Sequence, residues 1–173
     1  MPDDTRWLNE REQRTWRGFL TAARLVFDLV ERQLQRDAGL PHGYWEVLVR
    51  LSETPGRALR MSELAETTLF SRSRLSHAIS RMEQAGWVRR RTCAHDRRGQ
   101  LAELTGEGMA VLEATAPGHV EQVRSLLFDG LTREQQEALR EVSEAIVDHI
   151  TDHNRPWTMA PAKVEEGLDE GTC

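Results

Sequence analysis

The sequence predicts a mainly α-helical fold with a small β-hairpin, of the α+β class. An amphipathic helix in the middle of the chain is followed at once by an arginine-rich hairpin, the layout of a winged helix-turn-helix. Long amphipathic stretches flank this central part on both sides. Within a single domain we therefore expect a long N-terminal helix over 1–38, a winged helix-turn-helix over 39–104, C-terminal helices over 105–152 and a polar, poorly ordered tail over 153–173; the terminal helices are candidates for contact with a second subunit.

The composition limits the class of protein. The 173 residues, 39% of them hydrophobic, suffice for one domain with a real core. The two cysteines, Cys93 and Cys173, argue against a disulfide scaffold and fit a reducing cytosol. The N-terminal sequence lacks the apolar segment of a signal peptide, and no apolar run approaches the length of a membrane span. We therefore expect a cytoplasmic protein with no membrane partner.

The first predicted helix is unusually long. Asn9 and Glu12 form a plausible N-cap pair, and helical spacing then continues to the region of Asp37–Gly39. Its apolar positions are Trp16, Phe19, Leu20, Ala23, Val26, Phe27, Val30 and Leu34. Such a helix needs a partner along its length, so we expect part of it to pack on its own domain and part on a second subunit. A long core helix in a monomer is the alternative.

Short elements follow as far as residue 70. The chain breaks over 40–43, where Pro41 and Gly43 disfavour a helix. The predicted elements are then a helix over 44–53, a turn over 54–56, a short strand over 58–60 that pairs with the hairpin, a helix with Ser62 as N-cap that ends at Thr67, and a turn over 68–70. The residues predicted to face inward are Trp45, Leu48, Val49, Leu51, Leu64 and Ala65.

The next helix carries the functional signal. Its apolar stripe of Leu75, Ala78, Ile79 and Met82 predicts one buried face, and Gly86 is the predicted helix stop. The opposite face is polar and cationic, with Ser73, His77, Ser80 and Gln84 flanked by Arg74 and Arg81. A face of this kind can enter a major groove and meet base edges and phosphates together.

Positive charge is concentrated in this helix and the hairpin. Trp87 and Val88 open an extended segment, a turn is expected near 95–99, and Gln100–Leu104 is the predicted return strand. Between residues 71 and 98 there are eight arginines against two acidic residues, a local charge of +6 in a chain whose net charge is −5. Local field decides where a polyanion docks, so this part predicts a nucleic-acid partner. An ordinary solvated arginine-rich face is the alternative.

The remaining sequence predicts C-terminal helices. Thr105 can cap the first of them, and Pro117–Gly118 should kink or break it because proline removes a backbone donor. Residues 129–131 should end it, and Thr132 with Gln135 forms a capping box for the last helix. The apolar positions of the two helices are Met109, Val111, Leu112, Val120, Val123, Leu126 and Leu127, followed by Leu139, Val142, Ile146 and Ile150.

Four motifs together resemble the DNA-binding core of the MarR family of bacterial transcriptional regulators. They are Ser-Glu-Leu-Ala at 62–65, Met-Glu-Gln-Ala-Gly-Trp-Val at 82–88, Asp-Arg-Arg at 96–98, and Leu-Thr at 104–105 with Gly108 downstream. The last two, at this spacing, form a quite specific wing signature, whereas many regulators share a helix-turn-helix. Fainter similarity extends over residues 9–150.

The resemblance implies a homodimer in which the first and last helices of both chains intertwine. Two recognition helices related by a two-fold axis would reach successive major grooves about 34–36 Å apart. The partner would then be double-stranded DNA with a near-palindromic operator. The mechanism we expect is that of a repressor, which blocks polymerase by occupying the operator, although an activator would share every residue used here. The resemblance also implies release by a small aromatic or phenolic effector.

Ten residues are candidates for DNA contact. We expect Ser73, Arg74, His77, Ser80 and Arg81 in the major groove, where arginine can grip guanine bidentately. Ser71 and Arg72 near the helix start are suited to phosphates. The resemblance places Arg98 at the wing tip, reaching into the minor groove, with Asp96 orienting it and Arg97 on a phosphate.

An effector site is predicted less directly. The candidates are Trp16, Arg17, His42, Tyr44 and Trp45, because an aromatic wall with a cationic side chain can bind an organic anion. These residues are taken from the elements that form the cleft between the dimer helices and the DNA reader in the family. The alternative is that the aromatic side chains belong to the core.

Other functions are weighed against this one. The basic face could instead bind a protein, and Cys93 beside arginines could act as a thiol redox sensor. The family's peroxide sensors keep their reactive cysteine in the N-terminal helix, where this chain has none, so an incidental cysteine is the alternative. His149 and His153 are spaced for one face of a helix but lack a third metal ligand in sequence. No glycine-rich phosphate loop, nucleophile elbow or carboxylate pair predicts an enzyme, and we expect no cofactor.

Overall fold

The computed structural model describes residues 5–92 and 100–154, and these form six α-helices and a three-stranded antiparallel sheet. The fold class is therefore as predicted. The elements in order are α1 (Glu10–Ala38), α2 (His42–Ser52), a 3₁₀ turn (Pro55–Arg57), β1 (Ala58–Arg60), α3 (Met61–Thr67), α4 (Arg72–Gln84), β2 (Val88–Thr92), β3 (Gln100–Leu104), α5 (Gly106–Val123), a π-helical turn (Arg124–Phe128) and α6 (Arg133–Asn154).

Helix α1 begins and ends where its caps predict. The side chain of Asn9 accepts from the Glu12 amide at 2.9 Å, and the Glu12 carboxylate accepts from the Asn9 amide at 2.8 Å. Gly39 ends the helix in the left-handed region, at φ 60°, which glycine adopts without steric cost. Only the C-terminal part is buried, at Val30, Gln33 and Leu34, where α1 packs on α5.

The core lies between α2, α3, α4 and the sheet. Leu48, Leu51, Leu75, Ile79 and Met82 are completely buried in it. Trp45 and the predicted stripe of α4 are buried as expected, whereas Val49 is only half-buried. The prediction missed Val47, which is completely buried, because α2 is covered by neighbouring elements over more than one helical face.

The sheet confirms the predicted hairpin and the short strand. Its order is β1–β3–β2, so the return strand of the hairpin is central and pairs with both neighbours. Val88 lies opposite Leu104 and Arg90 opposite Ala102, while Leu59 of β1 lies on the other side of Ala102. Residues 88, 90, 102 and 104 therefore share the face turned toward α4, and 89, 91, 101 and 103 share the opposite face.

Two local expectations were wrong. Ser62 is not an N-cap, because β1 passes directly into α3 and the helix already begins at Met61. The Glu63 carboxylate instead accepts from the backbone amide of Arg60 at 3.3 Å. Of the kink or break expected at Pro117, the break is absent, since α5 continues as a helix to Val123. Pro117 is exposed, so water can satisfy the carbonyl that lost its partner.

The two ends of the chain present apolar side chains to solvent. In α6, which the predicted Thr132–Gln135 capping box starts, Leu139, Val142, Ile146 and Ile150 are all exposed. In α1, Trp16, Phe19, Leu25 and Phe27 are more than half exposed. Among the described residues, no helix has a stretch long and apolar enough to cross a bilayer.

Candidate nucleic-acid interface

Helix α4 is oriented by its buried stripe. With Leu75, Ala78, Ile79 and Met82 against the core, the opposite face projects from the domain. Ser71 caps the helix, and its hydroxyl accepts from the Arg74 amide at 3.2 Å. The candidate residues exposed on or beside this face are Ser71, Arg72, Ser73, Arg74, His77 and Arg81. The structure therefore brings these six together on one cationic surface.

The start of this surface is braced by Phe70. The Arg74 guanidinium lies 4.3 Å from the centre of the Phe70 ring, in a cation–π contact, and the ring itself is buried. Glu46 of α2 is nearby. Burial raises the pKa of Glu46, and the positive charges of His42, Arg50 and Arg74 partly offset that rise. The recognition helix and α2 are thus electrostatically linked.

Ser80 differs from the other predicted contacts. It is half-buried, and its hydroxyl accepts from Arg90 of β2 at 2.9 Å. Helical spacing alone placed Ser80 opposite the core, but the wing strand covers that part of α4. Its hydroxyl already has one partner within the protein, so its role in DNA contact stays a prediction.

The three consecutive arginines of β2 are all paired with carboxylates. Arg90 contacts Glu83 of α4 at 2.7 Å, and Arg89 and Arg91 contact Glu103 of β3 at 2.6 and 3.2 Å. Hydrogen bonds from Arg89 and then Arg91 lower the pKa of Glu103, although burial opposes them. The described part of the wing is consequently less cationic than its sequence suggests, since two carboxylates neutralise part of the charge of three arginines.

The remaining wing candidates are Asp96, Arg97 and Arg98. They, together with Cys93, lie outside the described residues. Their expected roles in the minor groove and on a phosphate, and the redox role of Cys93, stay predictions.

The candidate effector residues fall into two separate groups. His42, Tyr44 and Trp45 lie on α2, whereas Trp16 and Arg17 lie on the exposed N-terminal part of α1. Trp16 stacks on Phe19 at 6.3 Å and Arg17 donates to Gln13 at 3.1 Å. A single chain therefore does not bring all five residues into one site.

The group on α2, His42, Tyr44 and Trp45, has a further neighbour that the sequence did not predict. The His119 ring of α5 lies 4.7 Å from the Trp45 ring and 6.5 Å from the His42 ring, and Phe27 lies 5.9 Å from His42. Burial, with a smaller effect from His42, lowers the pKa of His119. Its Nδ1 is buried and has no hydrogen-bond partner within the described residues. A histidine beside Pro117–Gly118 gave no sequence signal for this position.

Metal binding has no support in the described residues. Within 5–92 and 100–154, no three or more histidine, cysteine or acidic side chains are grouped to hold a metal ion.

Comparison with known proteins assigns the family. The sequence profile of the MarR family matches residues 38–99. The structure of Sco3205, a MarR family transcriptional regulator from Streptomyces coelicolor solved in complex with DNA, is 51% identical, with a TM-score of 0.84, and the match covers 90% of this chain and 98% of that one. The chain belongs to the MarR family of transcriptional regulators.

Other relatives agree with this MarR assignment. The MarR regulator AbsC of Streptomyces coelicolor is 43% identical with a TM-score of 0.81, over 86% of this chain and 99% of that one. The regulator PecS of Dickeya dadantii is 30% identical over 96 residues, which are 56% of this chain and 57% of PecS. This chain thus spans little more than half the length of PecS.

The MarR assignment confirms a DNA-binding transcriptional regulator and excludes an enzyme. Within that assignment, α4 is the recognition helix and the β2–β3 hairpin is the wing.

Proposed function

We propose that this MarR protein is a repressor that binds a near-palindromic operator as a homodimer and that a small aromatic effector releases. The observation that carries the proposal is the exposed cationic face of α4, held outward by the buried stripe on its other side. Arginine, histidine and serine on one face can meet base edges and phosphates together. The wing, with Arg98 at its tip, would reach the adjacent minor groove.

The exposed apolar faces of α1 and α6 support the homodimer. Leu139, Val142, Ile146 and Ile150 recur at helical spacing on α6, and each is at least 39% exposed in the single chain. Such a stripe is stabilised only when another surface covers it. A second copy of the chain offers matching stripes on its own α1 and α6, and a two-fold pair would present two recognition helices to one face of DNA.

The cluster of Phe27, His42, Trp45 and His119 supports an effector site. It combines aromatic rings with two imidazoles, and Phe27 is 60% exposed. Aromatic walls with a hydrogen-bonding or cationic group suit a small aromatic acid or phenol. Trp16 and Arg17 would join this site only from the second subunit. The cluster joins α1, α2 and α5, and Glu46 of the same α2 interacts electrostatically with Arg74 of the recognition helix, so an occupant could change how that helix is held.

The operator is tested by fluorescence anisotropy of the full-length protein. Duplexes are drawn from the DNA beside its own gene and from a random-sequence pool, and binding is measured across a salt series. We expect one near-palindrome to bind about 1,000-fold or more tightly than scrambled DNA, with affinity falling steeply with salt. Weak binding that does not depend on the DNA sequence would contradict the proposal.

The effector is tested against free and operator-bound protein. An inducer must bind the free protein more tightly, by the same factor as it weakens DNA binding, because the two couplings are reciprocal. An aromatic acid that binds both forms equally cannot be the inducer.

A further inference from the structure

Arg90 makes a set of contacts that none of the neighbouring arginines shares. Its guanidinium donates to the Glu83 carboxylate at 2.7 Å, to the backbone carbonyl of Ser76 at 2.9 Å and to the Ser80 hydroxyl at 2.9 Å. Its backbone amide donates to the other Glu83 oxygen at 2.8 Å. One residue of the wing therefore binds three residues that span two turns of the recognition helix.

The direction of this side chain follows from the register of the hairpin. Arg90 lies opposite Ala102 on the face turned toward α4, while Arg89 and Arg91 lie on the other face with Glu103. Only 25% of the Arg90 side chain is exposed, against 63% for Arg89. The Nε of Arg90 is buried. Its guanidinium is thus committed to the protein rather than presented to a phosphate.

The contact matters because helix and wing must meet DNA together. The chain between α4 and β2 is a short turn that contains Gly86 in the left-handed region, at φ 78°. Side-chain contacts across this turn therefore help to set the angle between the two elements. A guanidinium that donates to several acceptors makes strong and directional hydrogen bonds, especially where water is partly excluded.

We propose that Arg90 is a positioning residue, which acts through Glu83, Ser76 and Ser80 to fix the recognition helix relative to the wing. This inference rests on the proposed function, in which both elements contact one operator. It assigns Arg90 to the specificity of binding rather than to the neutralisation of a phosphate. Arg90 is therefore a residue that DNA recognition requires without contact to DNA.

A substitution at Glu83 separates the two roles, because charge and positioning predict opposite changes in DNA affinity. Replacing Glu83 with Gln removes a negative charge near the DNA, which by electrostatics alone strengthens binding. The positioning role instead requires weaker and less selective DNA binding, since the Arg90 guanidinium loses its charged acceptor. Arg90→Gln must then have the same effect as Glu83→Gln, and the double variant no more than either, because residues of one unit are not additive.

The experiment uses the full-length protein, the duplex selected by the wild type from random-sequence DNA, and a scrambled duplex of equal length. For Arg90→Gln and Glu83→Gln we expect about a tenfold loss of affinity for the selected duplex and little change for the scrambled one. The slope of affinity against salt should stay unchanged, because no phosphate contact is lost. Arg89→Gln is the matched control, which removes the same charge from the same strand but from the face turned away from α4.

Several results would overturn the inference. A salt slope that falls by about 1 for Arg90→Gln, with equal losses on both duplexes, would make Arg90 a phosphate contact. Tighter binding of the selected duplex by Glu83→Gln would also contradict the positioning role, because it is the result that charge alone predicts. If Arg90→Gln does not fold by circular dichroism, Arg90→Lys decides: it keeps the charge, so wild-type binding contradicts positioning, and lost selectivity supports it. Failure of the wild type to select any duplex overturns the proposed function first and this inference with it.

Discussion

Gly108 packs directly against the backbone carbonyl of Trp87. A Cβ at this position would overlap the Trp87 oxygen and lie 2.8 Å from a methyl carbon of Leu104. The Thr105 hydroxyl strengthens the same junction, since it donates to the Gly86 carbonyl at 2.6 Å and accepts from the Gly108 amide at 3.0 Å. The first turn of α5 is thereby fastened to the segment that leaves the recognition helix.

Gly108→Ala should therefore destabilise the protein by about 1–3 kcal/mol or more, as overpacking of a core does. Urea unfolding followed by circular dichroism measures it. Gly106→Ala is the matched control in the same helical turn, because a Cβ there meets nothing within 4 Å. It should leave stability unchanged or raise it slightly. Equal stability of the two variants would contradict the packing described here.

Phe70→Leu should weaken DNA binding through Arg74. The substitution removes the ring under the guanidinium, and we expect a loss of affinity of about two- to tenfold for the selected duplex. Anisotropy measures the affinity. Ile79→Val, on the buried side of α4, is the control, because it lowers stability by about 1 kcal/mol without touching Arg74. A similar loss of affinity for both variants would attribute the effect to stability alone.

Glu103→Gln should increase sequence-independent DNA binding. The Glu103 carboxylate holds Arg89 and Arg91, and without it both guanidinium groups are released near the DNA. Affinity for scrambled DNA should rise, and its dependence on salt should steepen. Glu113→Gln removes the same charge from an exposed position on α5, and we expect a smaller change there. Unchanged binding by Glu103→Gln would mean that these arginines face away from DNA.

Stability should depend on pH through His119. Burial lowers the pKa of His119, so the folded protein binds fewer protons than the unfolded chain once the pH falls below about 6.5. The free energy of unfolding should consequently fall as the pH drops through about 6.5 toward the lower folded pKa. His119→Gln should flatten the profile in that window, measured by urea unfolding. A wild-type profile with no such slope would contradict the burial of His119.

Val142→Asp with Ile146→Asp should give a folded monomer. Both side chains are exposed in the single chain, so the substitutions spare its core but place charge in the proposed subunit interface. Light scattering should show half the mass, and affinity for the palindrome should fall by about 100-fold because one chain reaches one half-site. Asp148→Asn, two residues further along α6 and so on another face, should leave both unchanged. A wild-type mass of one chain would contradict the homodimer.

The sequence predicted the features that depend on local chemistry. The Asn9 and Thr132 caps, the Gly39 and Gly86 stops and the stripe of α4 follow from hydrogen bonds and spacing within one element. The burial of Ser80 and of Val47 was not predicted, because neighbouring elements cover these residues and a helical period cannot show such contacts. His119 was missed for the same reason, since only the packing of α5 on α2 makes it a neighbour of Trp45.

The role of the arginine run was also beyond a count of charges. The local charge of +6 indicated DNA as a partner. In the hairpin register, however, Arg90 lies on one face of the sheet and pairs with Glu83, whereas Arg89 and Arg91 lie on the other face and pair with Glu103. Which arginine can meet a phosphate is therefore decided by strand pairing, and not by composition.

The hydrogen bond from the Arg90 amide to Glu83 also bears on solubility. β2 is an edge strand, and an outward-facing backbone amide on such an edge is a template for pairing with another chain. Here a side chain of the recognition helix occupies that donor, and arginines line the strand. That amide is thus not available to pair with a strand of another chain.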